Sequence, residues 1–270
     1  MKKIYGFTGE IEENETNAEL IKKTPDDTKE PLRCIVKIRF PGVGKELSYY
    51  NDSFYLEVGD KVFVNGKLYG KLGVVTDVNT HFKINTADYK KVIGKPETAI
   101  KGNFISLNDK MLSFDTDLTA ERFAQMIIAP RDPDSEEDDG EIILGEGWSV
   151  GLEDFEMSPD VEHIKLEKAV EYCCEGNAVF LSVKNGTGKA FVRGTKWYAV
   201  DFEFDGETVS NLYCDCPFTD STLCKHELAV LITLRVITDM PQLENKKDFT
   251  AIDRTYLLQE ILSDNSEISL

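Results

Sequence analysis

The stretch YCDCPFTDSTLCKH spans residues 213–226 and holds three of the six cysteines and one of the three histidines of the chain. Its pattern is Cys-x-Cys, seven residues, then Cys-x-His, with candidate metal ligands at Cys214, Cys216, Cys224 and His226. Zinc prefers four thiolate and imidazole ligands in a tetrahedron, and this window offers one complete set. The spacing therefore predicts a bound Zn²⁺ ion. The alternative is that these residues are ordinary buried thiols and a core histidine.

The spacing also predicts the local structure of the ligands. Residues two apart on a strand point to the same side, so Cys214 and Cys216 can face one ion where a strand ends. Residues two apart within a helix lie on nearly opposite faces, which places Cys224 at a helix entrance and His226 in the first turn. The segment that follows, HELAVLITLRVI, is apolar on most faces and is predicted to form a buried helix. Four protein ligands leave no open position for substrate, so we expect a structural site.

The elements before the ligands add a second pattern. A helix is expected over 161–174, and strands are expected over 178–183, 189–193, 197–204 and 209–213. Residues 194–200 read GTKWYAV, which gives Gly-x-x-x-Tyr-x-Val ahead of Cys-x-Cys-Pro and Cys-Lys-His. With these motifs, residues 176–238 resemble the SWIM zinc-finger family. The resemblance implies zinc binding by the four residues named above. It also implies a link to DNA binding and protein contacts, as in transposase-like, helicase-like and recombination-associated proteins.

The first part of the chain has a different character. Short runs rich in Val, Ile, Phe and Tyr, separated by Gly, Asn and Asp, predict the strands 3–8, 34–40, 46–50, 61–64, 73–78 and 82–84. Residues 58–78 alternate apolar and polar side chains around glycines, as a hairpin does. This hairpin resembles the KOW motif of small β-barrels, which implies contacts with RNA or protein. The alternative is that its lysines Lys61, Lys67 and Lys71 only protect a strand edge from pairing. A further hairpin is expected over 104–114, and a helix over 119–128.

The charge distribution predicts how the chain divides. The net charge is -18, and most of the acidic excess lies between residues 96 and 175. Its densest part, 131–142, is almost without apolar side chains, so we expect an exposed acidic linker there. We therefore predict an α+β protein in two parts. Residues 1–130 form a β-rich, barrel-like domain with one packing helix, and residues 143–270 form a small SWIM-like zinc-binding domain with flanking helices.

A basic cluster keeps nucleic acid among the candidate partners. The predicted hairpin 184–196 carries four basic residues with no acidic residue between them, followed by two aromatic residues, and one more lysine lies between two ligands. A local basic patch with aromatic neighbours can bind a single strand. The alternative is a solvated hairpin face. The candidate nucleic-acid-binding residues are Lys184, Lys189, Arg193, Lys196 and Lys225.

The remaining features restrict the class of function. The chain begins with charged and glycine residues rather than a secretory signal, and no apolar run approaches the roughly 20 residues of a membrane helix, so we expect a cytoplasmic protein with no membrane contact. No nucleophile–base–acid set is visible. We therefore predict a non-enzymatic adaptor with a protein partner, working in a DNA-associated process, and the sequence specifies no oligomeric state. The alternatives are direct DNA or RNA binding through the hairpin 184–196, and an enzyme with a site in the N-terminal domain.

Overall fold

The computed structural model describes residues 31–83, 85–131, 148–218, 221–244, 246–262 and 266–269. Within these ranges the chain forms a five-stranded sheet, an eight-stranded sheet and a pair of short strands. The mixed α+β class predicted from the sequence is confirmed, with sheet predominating over helix. The predicted strand 3–8, and all of the predicted acidic linker except Arg131, lie outside the described residues.

The five-stranded sheet is built by the first strands of the chain in the order β2-β1-β4-β3-β5. Alternate side chains of β1 are fully buried and form one apolar layer with those of β3 and β4. The edge strands approach each other at a single bridge between Tyr50 and Lys91, and over the described residues the sheet does not close into a barrel. The five strands are β1 (Cys34–Arg39), β2 (Leu47–Asn51), β3 (Lys61–Val64), β4 (Gly73–Asn79) and β5 (Val92–Gly94).

The hairpin predicted over 58–78 is present as β3 and β4, which pair in antiparallel fashion. At the start of β4, Gly73 lies so close to Ile38 and Phe40 that any Cβ atom would collide with them, so this position requires glycine. The hairpin also contacts the rest of the protein. The Lys61 ammonium donates to the carbonyl of Glu260 at 2.8 Å, which joins the small sheet to the C-terminal part of the chain.

The eight-stranded sheet is antiparallel throughout and has the strand order β7-β8-β14-β10-β11-β12-β13-β9. The remaining two strands, β6 and β15, pair in parallel. The ten strands are β6 (Lys101–Asn103), β7 (Ile105–Leu107), β8 (Lys110–Ser113), β9 (Trp148–Gly151), β10 (Ala178–Lys184), β11 (Thr187–Arg193), β12 (Trp197–Phe204), β13 (Thr208–Cys214), β14 (Phe249–Asp253) and β15 (Glu267–Ser269).

Helices cover both faces of the large sheet. Helix α1 (Ala120–Ile127) packs on one face, whereas α2 (His163–Cys174) and α3 (Lys225–Thr238) pack on the other. A short helical segment, Arg254–Tyr256, continues into a wider turn at Leu257–Ile261. The helices expected over 119–128 and 161–174 are thus present. Of the helices in the described ranges, none has both the length and the apolar character needed to span a membrane.

The large sheet draws strands from both sides of the predicted boundary at residue 131. Strands β7 and β8 and helix α1, which fall in the predicted domain 1–130, pair and pack with elements from the C-terminal half: Leu112 of β8 lies opposite Ala251 of β14. Every residue of β8 is buried, as expected of a strand covered on both faces. Residues 105–127 therefore contribute two strands and a packing helix to a sheet whose other six strands lie after residue 147.

The packing of α1 depends on Phe123, which is fully buried and stacks on Phe180 at 4.5 Å between ring centroids. We expect Phe123→Ala to lower the free energy of unfolding by about 3–5 kcal/mol because it leaves a cavity between α1 and the sheet. Urea denaturation followed by circular dichroism measures this loss. The control Ile128→Ala truncates a side chain that is 52% exposed and should change stability by less than about 0.5 kcal/mol. Equal losses in the two variants would contradict this packing.

Candidate metal centre

The four predicted ligands come together in space. Cys214 is the last residue of β13, Cys216 follows two residues later, Cys224 is the N-cap of α3, and His226 is the second residue of that helix. Their ligand atoms all lie within 4.8 Å of one another, and all except the partly exposed Cys216 are buried. The strand end and helix start predicted from the spacing are both present. The cluster is close enough to bind one metal ion and is compatible with zinc.

The orientation of His226 identifies its ligand atom. Its Nδ1 lies 3.8 Å from the Cys214 Sγ and 3.9 Å from the Cys224 Sγ. With Zn–S bonds of about 2.3 Å and Zn–N bonds of about 2.0 Å, tetrahedral ligands stand roughly 3.5 Å apart. The Nδ1 atom is therefore placed to complete a tetrahedron with the three sulfur atoms.

The thiols influence one another strongly. The pKa of Cys216 lies well below its usual range because the thiols of Cys214 and Cys224 donate hydrogen bonds to its sulfur. The pKa values of Cys214 and Cys224 are raised, mainly because each thiol holds its proton in a hydrogen bond to another sulfur of the cluster. A divalent cation bound here would displace the thiol protons, because the thiolate is the form of cysteine that binds metal. The chemistry of the residues thus fits a metal ion.

A capping box fixes the start of α3. The Cys224 Sγ accepts a hydrogen bond from the Glu227 amide at 3.4 Å, and the Glu227 carboxylate accepts one from the Cys224 amide at 2.7 Å. Burial raises the pKa of the Glu227 carboxyl group. The ligand Cys224 therefore takes the place that Ser or Thr usually holds at a helix start. Glu227, three residues after Cys224, has the spacing from which this role could have been predicted.

Helix α2 holds the loop between the two ligand pairs. The Lys165 ammonium donates to the Thr222 hydroxyl at 2.5 Å and lies 4.1 Å from the centre of the Phe218 ring. The Leu223 amide donates to the carbonyl of Asp160 at 2.9 Å, just before α2 begins. Contacts outside the ligand set therefore hold Phe218, Thr222 and Leu223, on either side of residues 219–220.

The predicted nucleic-acid-binding residues do not form one patch. Lys184, Lys189 and Arg193 lie on the same face of β10 and β11, because Lys189 is opposite Ser182. Lys184 and Arg193 nevertheless stand about 20 Å apart along the strands. Lys189 forms an ion pair with Asp201 at 2.9 Å. Arg193 lies over the ring of Tyr256, Lys196 over that of Tyr198, and Lys225 over that of Tyr172.

The two aromatic residues of the predicted basic hairpin are engaged inside the protein. Trp197 packs edge-on against Phe123, and Tyr198 is buried with its ring stacked on His226. One face of Tyr198 is therefore occupied by the imidazole rather than open to a stacking base, and Trp197 contacts the rings of Phe123 and Tyr256. The packing of Tyr198 and Tyr172 on His226 is a part of the site that sequence reasoning missed, since no local pattern links these rings to the ligand.

An open groove of about 940 Å³ lies at the end of the large sheet where the β10–β11 and β12–β13 turns meet the C-terminal end of α3. Its lining includes Phe114, Gly186, Asp205 and Lys246, and none of the four candidate metal ligands. The inner face of the five-stranded sheet is filled by apolar side chains such as Val36 and Val62. The groove is therefore separate from both the metal centre and the interior of the small sheet.

The capping box gives a testable contribution to stability. Glu227→Ala leaves the buried Cys224 amide without its carboxylate acceptor, and we expect a loss of about 1–3 kcal/mol in the free energy of unfolding. Glu227→Gln keeps an acceptor oxygen at the same position and should lose less. Urea denaturation of both variants measures the difference, and equal losses would show that the hydrogen bond is not what stabilises the helix start.

Comparison with known proteins adds no family assignment. No protein-family model matches the chain, and neither the curated proteins nor the solved structures provide a match. The functional argument therefore depends on the geometry of the cluster at residues 214–226 and its surroundings.

Proposed function

We propose that this chain is a zinc protein of the SWIM type, in which a structural zinc ion stabilises a module that binds a protein partner. The observation that carries the proposal is the four-ligand cluster of Cys214, Cys216, Cys224 and His226, whose ligand atoms lie within 4.8 Å of one another. These residues would hold the ion. The ion would join the end of β13 to the start of α3 and add the free energy of metal binding to the stability of the fold.

The donor set favours a structural role over a catalytic one. Four protein ligands fill a tetrahedral zinc site, so no position is left for water or substrate. Three thiolates give the centre a net charge of about -1, which makes the ion a weak Lewis acid. The burial of Cys214, Cys224 and His226 further limits access to the ion. A non-enzymatic function follows from this reasoning for the zinc module.

Two features support a protein rather than a nucleic acid as the partner. The net charge of -18 opposes the binding of a polyanion. Exposed apolar side chains are present on the ligand loop, where Phe218 is 39% exposed, and in the first turn of α2, where Ile164 is 65% exposed. Such side chains are typical contacts of protein interfaces. We place this interaction in a DNA-associated process, following the resemblance of residues 176–238 to SWIM modules.

Direct nucleic-acid binding is the second candidate, and one observation favours it. Lys184, Lys189 and Arg193 share a face of neighbouring strands, where they could follow a phosphate backbone. Acidic side chains on the same face weaken this candidate, because Asp201 pairs with Lys189 and Glu203 lies two residues further along β12. The positive charge of the face is therefore largely offset.

The zinc proposal predicts a defined metal content. We expect the protein purified without added metal to hold one zinc ion per chain, measured by mass spectrometry of the acid-released metal. Cys216→Ser should remove the ion and unfold residues 176–238, because metal binding and folding are coupled in such sites, while the five-stranded sheet stays folded. Regional hydrogen exchange distinguishes the two parts of the chain.

Cys174→Ser is the matched control, since Cys174 is an exposed thiol outside the cluster. This variant should retain its zinc and its melting temperature. A Cys216→Ser protein that keeps a full complement of zinc and melts like the unaltered chain would contradict the proposed ligand set.

The choice of partner is tested by binding at two salt concentrations. We expect fluorescently labelled single-stranded DNA and RNA to show no salt-sensitive binding between about 50 and 200 mM salt, and we expect a protein from a lysate of the source organism to be captured by the unaltered chain but not by Cys216→Ser. Tight binding of the oligonucleotides that weakens steeply with salt would favour the second candidate. In that case the double variant Lys189→Glu/Arg193→Glu should abolish the binding while the fold survives.

A further inference from the structure

The imidazole of His226 is held in an unusual environment. Its Nδ1 faces the sulfur atoms, whereas its Nε2 is buried and has no hydrogen-bond partner among the residues that the structure describes. A metal-bound histidine normally donates its second N–H to a carboxylate, a carbonyl or water, and this bond fixes the ring. Some other interaction must therefore orient His226.

Two tyrosine rings contact the imidazole. The Tyr198 ring stacks on it, with 4.2 Å between ring centroids and 22° between planes. The Tyr172 ring meets it edge to face at 5.6 Å and 62°. Together these contacts restrict rotation of the His226 ring about its side-chain bonds, which is the constraint that a hydrogen bond to Nε2 would otherwise provide.

The fold places both rings firmly. Tyr198 lies two residues before Val200, which is opposite Cys214 in the β12–β13 pair, so Tyr198 extends the same face of the sheet towards the cluster. Its hydroxyl group is 2.9 Å from the hydroxyl of Thr195. Tyr172 is carried by α2, whose Cys173 thiol donates to the carbonyl of Ala229 in α3 at 3.4 Å. The two rings thus come from different elements that are each attached to a ligand-bearing element.

A lysine ammonium lies over each tyrosine ring. The Lys196 Nζ is 5.6 Å from the centre of the Tyr198 ring, and the Lys225 Nζ is 4.5 Å from that of Tyr172. Both distances are within the range of about 6 Å for cation–π contacts. An ammonium group therefore lies within cation–π range of each ring that contacts the imidazole. With zinc bound, the centre on the Nδ1 side of that imidazole would carry a charge of about -1.

We infer that Tyr198 and Tyr172 are positioning residues for the ligand His226, and that Lys196 and Lys225 support the negatively charged zinc centre through these rings. The inference rests on the proposed zinc function and assigns to two of the five predicted nucleic-acid-binding residues a role at the metal. The two lysines stabilise the charged centre, and the two rings hold the Nδ1 atom towards the ion.

The role of Tyr198 is tested by three variants. Tyr198→Leu removes the stacking ring, Tyr198→Phe keeps the ring without its hydroxyl group, and Phe202→Leu removes another buried ring of the same strand, which lies against Gly188. Zinc affinity is measured by competition with a fluorescent chelator, and ligand geometry by the visible absorption of the Co²⁺-substituted protein. We expect Tyr198→Leu to weaken zinc binding roughly 10- to 100-fold and to alter the Co²⁺ spectrum, and Tyr198→Phe to restore both.

Phe202→Leu separates positioning from general stability. It should lower the melting temperature but leave the Co²⁺ spectrum unchanged, and it gives the part of any affinity loss that comes from destabilisation alone. If Tyr198→Leu loses no more affinity than Phe202→Leu and keeps the unaltered spectrum, the role of Tyr198 is overturned while the zinc proposal stands. If the unaltered chain binds no zinc, both are overturned.

The role of the lysines is tested with a change of equal charge elsewhere. The double variant Lys196→Met/Lys225→Met should weaken zinc binding roughly 5- to 30-fold, as expected for two cation–π contacts. The control Lys184→Met/Lys189→Met also removes two positive charges, from the face of β10 and β11 that carries Ser182, and should leave the affinity unchanged. Equal affinities for the two double variants would overturn the role of Lys196 and Lys225.

Discussion

The constraint on which the candidate metal centre depends is the convergence of four potential ligand atoms from two separate elements. Cys214 and Cys216 follow a strand, whereas Cys224 and His226 begin a helix, and a metal ion requires all four within one small sphere. Contacts around the ligands support this arrangement. Glu227 caps the start of α3, Lys165 contacts Thr222 in the loop between the two ligand pairs, and the rings of Tyr198 and Tyr172 pack on the imidazole of His226. The ligand set is thus the inner part of a larger packed unit.

The large sheet provides the rigid platform for this unit. One face carries α2 and α3 and the candidate metal centre, and the other face carries α1 and an aromatic cluster around Phe123. Because β10 is covered on both faces, its side chains cannot move towards solvent without exposing apolar surface. The packing of α1 on the opposite face of the sheet therefore helps to fix the positions of β12 and β13 near the cluster.

Local sequence patterns predicted the parts of this structure that local forces determine. The ligand spacing, the helix that follows Cys224 and the strands from 178 to 214 all follow from side-chain periodicity and metal chemistry. The partners of β8 and α1 could not be predicted, because pairing of Leu112 with Ala251 depends on residues almost 140 positions apart. The five residues of β14 stand between charged segments and give too short a pattern to identify a central strand. The Tyr198 contact likewise depends on tertiary packing.

The position of β14 has a consequence for synthesis of the chain. This strand lies between β8 and β10 in the sheet, but it is translated long after both. Until residue 253 has left the ribosome, β8 and β10 each have an unpaired edge, and apolar unpaired edges invite association with other chains. The four candidate metal ligands emerge earlier, so a bound metal ion would organise β13 and α3 while the sheet is still incomplete. The nascent chain would then gain a folded region before its central strand arrives.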